Sequence, residues 1–68
     1  MKLVPIQATD TTPQTINLLT GNNNLFASID KCGQIKIYGE DSYISIEEAR
    51  DIIKIADNFE LFFSNIKN

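Results

Sequence analysis

Histidine is absent from this sequence, and cysteine occurs once, at Cys32. One cysteine forms no disulfide within the chain, and alone it cannot build a zinc site of the usual Cys/His kind. Both absences bear on catalysis, which needs a group that changes protonation or attacks, held against a partner group. Cys32 has only Lys31 beside it, and a nucleophile without a base is a poor enzyme. Glycine is sparse and scattered, at Gly21, Gly33 and Gly39, so there is no glycine-rich phosphate loop. Asp30, Glu40 and Asp41 do not follow calcium-loop spacing.

No apolar run approaches the ~18–20 residues needed to cross a bilayer. The amino-terminal stretch turns polar too soon for a signal peptide. Lysine and arginine number six against nine acids, for a net charge of −3 and a pI near 4.6. Generic attraction to phosphate backbones is therefore missing, and nucleic acid is not an expected partner. These absences predict a cytoplasmic protein with no membrane contact, no cofactor, no metal and no catalytic residues.

What remains is globular in composition, 43% hydrophobic and 22% charged over 68 residues. The length allows one domain that buries roughly 60% of its surface. A single core of this size rarely supplies more than about 3–5 kcal/mol unaided. With disulfide and metal excluded, self-association or a partner protein is the expected further source of stability.

Residues 1–13 form an amino-terminal arm with Pro5 and Pro13, in which Lys2–Ile6 suits a short edge strand. Residues 15–39 suit a β-meander. Thr15–Thr20 and Leu25–Asp30 flank the turn signal Gly21-Asn22-Asn23-Asn24. A third strand, Gln34–Gly39, follows the three-residue loop Lys31-Cys32-Gly33, with Gly33 left-handed. Placing Asp30 opposite Gln34 sets Ile29 against Ile35, Ala27 against Ile37 and Leu25 against Gly39. Placing Thr20 opposite Leu25 sets Leu18 against Ala27 and Ile16 against Ile29. Both hairpins then present one apolar face. The other face carries Leu19, Phe26 and Tyr38, with Ser28 and Lys36 nearby. Either the arm folds over it with Leu3, Val4 and Ile6, or it is an exposed aromatic patch for binding.

From residue 45 the chain enters a helix. Ser45 and Glu48 fit a capping box, Ile44 suits a hydrophobic staple with Ala49, and no Gly or Pro intervenes before the carboxyl terminus. One helix is expected over residues 45–66. Its apolar arc is roughly 200° wide against the ~100° typical of a surface helix. Ala49, Ile52, Ile53, Ala56 and Phe63 are assigned to the core. The flanking stripe Ile55, Phe59, Phe62 and Ile66 is the candidate association surface of a homodimer, unless the arm or the twist of the sheet covers it. Glu40, Asp41, Glu47, Glu48 and Asp51 form an acidic segment. It either complements the helix dipole or docks on a basic protein surface.

The stretch from Ala27 to Asp57 resembles a pattern of small phage and prophage proteins. In these, a Gly-x-Ile-x-Ile hairpin strand leads through a short loop into a Ser-x-Glu-Glu-Ala helix. The matching residues are Gly33, Ile35, Ile37, Ser45, Glu47, Glu48 and Ala49, and the match covers about half the chain. The resemblance implies a small accessory or host-directed protein of a mobile element and names no active site.

The fold class expected is α+β: an antiparallel meander of three strands, four if the arm joins, packed on one carboxyl-terminal helix. The function expected is protein binding without catalysis, as a homodimer that inhibits or modulates a host protein. A structural subunit of a larger assembly is the first rival. A single-stranded nucleic-acid binder, stacking bases on Phe26 and Tyr38, is the second.

Overall fold

The computed structural model describes residues 2–38 and 43–67, the Lys67 side chain excepted. Strands β1 (Lys2–Ile6), β2 (Thr15–Leu19), β3 (Leu25–Asp30) and β4 (Ile35–Ile37) form one antiparallel sheet in sequence order. Helices α1 (Ile46–Asp57) and α2 (Phe59–Lys67) pack on it, α1 over β3 and α2 over β1. The chain is α+β, with the arm as the fourth strand and two helices where one was expected. The proposed pairing of Leu25 with Gly39, and the loop holding Glu40 and Asp41, lie outside the described residues.

The second hairpin follows the register that alternation dictates: Ala27 pairs with Ile37 and Ile29 with Ile35. Its loop closes with the Gly33 amide donating to the Asp30 carbonyl at 3.1 Å and the Asp30 amide to the Gln34 carbonyl at 3.0 Å. Gly33 sits at φ +90°, where a side chain would be strained. The Asp30 carboxylate accepts from the Gln34 amide at 2.9 Å, a local bond that favours aspartate at a turn.

The first hairpin is one residue tighter than expected. Thr20 donates its amide to the Asn24 carbonyl rather than closing on Leu25, and its hydroxyl accepts from the Asn22 and Asn24 amides. Asn23 takes the left-handed conformation, φ 63°, which asparagine tolerates best after glycine. The register therefore shifts between Leu18 and Leu19. Leu18 still faces Ala27 and Ile16 still faces Ile29, but Leu19 faces Leu25, and Phe26 is the extra residue of a bulge. The expected Leu19–Phe26 neighbour pair is thereby replaced.

β1 pairs along its whole length with β2, placing Leu3 opposite Leu18 and Val4 opposite Asn17. The arm extends the sheet in its plane and does not fold over the second face. Threonines secure its return: the Thr9 hydroxyl accepts from the Thr11 and Thr12 amides.

The core joins Ile16, Leu18, Ala27 and Ile29 of the two central strands to Ile52, Ile55, Phe59 and Phe63 of the helices. Ala27 keeps the sheet surface low where the helices cross. The Phe59 and Phe63 rings stack with centroids 5.6 Å apart. Two assignments are corrected here. Ile53, expected in the core, is 55% exposed, whereas Ile55 and Phe59, expected in the association stripe, are buried. The sheet takes the helix shoulder that carries the large rings. Burial free energy scales with apolar area, about 25 cal/mol per Å², and two phenylalanines supply far more area than Ala49 and Ala56. Those alanines are half-buried.

The single helix expected over 45–66 breaks at Asn58 without Gly or Pro. The Asn58 side-chain amide donates to the Lys54 carbonyl at 3.0 Å, and its backbone amide is shared between the Lys54 and Ile55 carbonyls. A side chain entering the ladder is a recognised cause of a kink. It lets the chain pass from β3 to β1 while Ile52, Ile55, Phe59 and Phe63 all stay on the sheet.

Ile55→Val is expected to lower stability by about 1 kcal/mol through the lost buried methylene. Ile53→Val should remain within about 0.5 kcal/mol of the parent, as an exposed substitution does. Urea unfolding midpoints followed by circular dichroism check both, and equal effects would remove the assignment of the core face.

Candidate functional site

No polar or charged side chain is buried among the described residues, and none of their His, Cys, Asp and Glu side chains gather in groups of three or more. Cys32 is exposed on the β3–β4 loop. No described helix is long and apolar enough to cross a membrane. The features that remain are surfaces.

α1 begins at Ser45, whose hydroxyl accepts from the Glu48 amide at 3.0 Å while the Glu48 carboxylate accepts from the Ser45 amide at 3.0 Å. The Ser45 backbone amide, then its side chain, hold the Glu48 carboxyl below the ordinary glutamate range. Two of the five acidic residues are thus explained locally: Glu47 and Glu48 occupy the first turn of α1, where negative charge complements the exposed amides. Asp51 lies one turn on and lines a notch of about 220 Å³ with Leu3, Lys54, Ile55 and Phe62. Glu40 and Asp41 fall outside the described residues.

Of the expected association stripe, Phe62 and Ile66 are half-buried against the core, and Ile55 and Phe59 belong to it. The sheet-face candidates also part company. Phe26, displaced by the bulge, is half-buried and packs against the core cluster. Tyr38 is half-buried, its hydroxyl 3.5 Å from that of Ser28 and its ring 5.0 Å beneath the Lys36 ammonium. Leu19 is half-buried beside Lys2 and Leu25. Of the two alternatives for this face, the arm does not fold over it, and all three residues are half-buried. The second face instead offers an open cleft of about 500 Å³, walled chiefly by Thr12, Thr15, Ser28, Asp30, Gln34 and Lys36. Asp30 and Thr15 already bond within the chain there, to the Gln34 amide and the Pro13 carbonyl.

Sequence reasoning missed the opposite flank of α1. Ile46 is 72% exposed and Ile53, two turns on, is 55% exposed. Asp51, Lys54 and Ile55 meet Leu3 of β1 and Phe62 of α2 around the notch. At about 100° per residue, Ile46 and Ile53 project away from Asp51 and Ile55. Ile35 and Ile37 share the helix-bearing face with their partners Ile29 and Ala27, yet Ile35 is 42% exposed. Ile37 is half-buried against the core, so Ile35 is the apolar residue of this strand that stands open. The signal available in the sequence was the angular centre of the apolar arc, which falls near Ile52, between Phe59 and Phe63, once the rings are weighted by size.

No protein-family model matches the chain, and no match is found among curated proteins or solved structures.

The depressed Glu48 acidity has a pH signature. Because the carboxyl titrates lower when folded than when unfolded, its contribution is complete above the unfolded value, about 4.3, and is lost as pH falls through the folded one. The gap in urea midpoint between wild type and Glu48→Gln should accordingly be widest near neutral pH and close below that range. A gap that stays constant with pH would mean the carboxylate charge adds nothing to the cap.

Proposed function

We propose that this protein works by binding another protein and catalyses no reaction itself, as a small accessory or inhibitor protein of a phage or mobile element that modulates a host target. The observation that supports this most is the exposure of Ile46 and Ile53, two turns apart on one flank of α1. Contiguous apolar surface on a small protein marks an interaction site more often than isolated exposed residues do. The likeness of the Ala27–Asp57 stretch to small phage proteins supports the biological setting.

Ile55 and Phe59 of the stripe inferred from periodicity are in the core, which favours the Ile46–Ile53 flank as the docking surface. A homodimer would bury that flank. A structural subunit would bury that same flank inside a larger assembly. A base-stacking role draws less support, since Phe26 packs against the core instead of lying open beside Tyr38.

The test is affinity capture from a bacterial lysate with the tagged wild type, Ile53→Asp and Leu61→Asp. Leu61 is 61% exposed on α2 and serves as the control for an added surface charge. Wild type and Leu61→Asp should recover the same saturable partner, and folded Ile53→Asp should lose it. Equal recovery by all three would exclude this flank, and light scattering on the same proteins separates a foreign partner from a second copy.

A further inference from the structure

The two edges of the sheet are not equivalent. β1 carries Pro5, whose nitrogen offers no donor and blunts that edge against further pairing. β4 has no proline. The Tyr38 amide donates to the Phe26 carbonyl at 2.8 Å and the Asp30 amide to the Gln34 carbonyl at 3.0 Å. Antiparallel pairing alternates, so Gln34, Lys36 and Tyr38 turn their polar backbone groups toward β3. Ile35 and Ile37 must then turn theirs outward, to the side where no described strand pairs. The side chains of these two residues lie on the helix-bearing face, where Ile37 packs against the core and Ile35 is 42% exposed.

The geometry points to β4 as a strand-addition site for an extended segment of another protein, with an acidic residue between two apolar ones. The inference rests on the protein-binding reading above and specifies its mode. The backbone groups of Ile35 and Ile37 select an extended chain, because only a strand presents donors and acceptors at their spacing. Apolar residues at alternate positions of that strand would stand over the helix-bearing face, beside Ile35 and Ile37. The residue between them falls on the other face, opposite Lys36.

Lys36 also decides between a second copy and a foreign strand. The self-pairing that uses the outward groups of both Ile35 and Ile37 sets each against the other's counterpart, and so places Lys36 directly opposite Lys36 of the second copy. Like charges directly opposite are destabilising in an antiparallel pair, whereas opposite charges stabilise it. The Lys36 ammonium lies above the Tyr38 ring at 5.0 Å, held on that face by a cation–π contact, and β4 is only three residues long. A self-complementary edge is therefore disfavoured, and a strand with an acid at its centre is favoured.

The probe is the capped, fluorescein-labelled peptide TVEVT, with TVKVT and a form of TVEVT N-methylated at both valines as controls. Binding is read by fluorescence anisotropy and by amide shifts in nitrogen-15 spectra of the protein. TVEVT should bind with its largest shifts at Ile35, Lys36 and Ile37. TVKVT should bind about tenfold more weakly, as reversing one cross-strand charge pair implies. N-methylation, which removes the donors but keeps the side chains, should abolish binding. Lys36→Glu should exchange the order of TVEVT and TVKVT. Failure of TVEVT to bind at millimolar concentration, binding indifferent to N-methylation, or no exchange with Lys36→Glu would each overturn strand addition. Capture of a partner that still depends on Ile53 in that case would leave the protein-binding reading intact, so the two fail separately.

Discussion

The structure depends on one packing decision, namely which shoulder of the carboxyl-terminal helical segment meets the sheet. Ile52, Ile55, Phe59 and Phe63 form a line that crosses Ile16, Leu18, Ala27 and Ile29. The stacked rings of Phe59 and Phe63 bury the most apolar area in it, so the sheet settles under them. Every other property of the surface follows. The opposite shoulder, with Ile46 and Ile53, is left in water, and the notch beside Phe62 is what remains of the stripe on the near side. The break at Asn58 serves the same line, since it redirects the chain without turning any of the four residues off the sheet.

The sheet itself divides into two chemically distinct faces. One is dry at its centre, where all four core residues of β2 and β3 are fully covered. The other carries Thr15, Asn17, Ser28 and Lys36 across the middle strands and edge, beside an open cleft that Thr12 and Pro13 help to wall. The surface ion pair between Lys31 and Glu60, at 3.7 Å and largely exposed, ties the β3–β4 loop toward α2 but adds little free energy. Stability rests on the apolar line and on local caps and turns.

Local chemistry was the legible part of the sequence. Asp30, Gly33 and Gln34 specify a loop of one length, and the register of β3 against β4 followed from it residue for residue. The Ser45–Glu48 capping box formed at the expected positions for the same reason, since both of its bonds lie within four residues. The first hairpin was legible only in part. Gly21, Asn22, Asn23 and Asn24 all tolerate turn conformations, so composition left the closing pair open by one residue, and the bulge at Phe26 absorbed the difference. That single residue removed Phe26 from the open face to which alternation had assigned it. At Asn58 the relevant signal was present, an asparagine able to bond the preceding turn, but asparagine also occurs inside unbroken helices.

By itself the sequence determined the class of fold, the strands and the cap, because each depends on residue identity or on interactions between near neighbours in the chain. Only the tertiary structure decided which residues of the apolar arc are core and which are surface. An arc of roughly 200° offers two shoulders to one sheet, and the choice depends on the summed area each buries against side chains far away in sequence. The same holds for the edge. Whether β4 is the last strand, and whether anything covers Ile35, is a property of how the whole chain packs. The exposed flank that the proposed function relies on was therefore decided by the core: it is the apolar surface left over once Phe59 and Phe63 had taken the sheet.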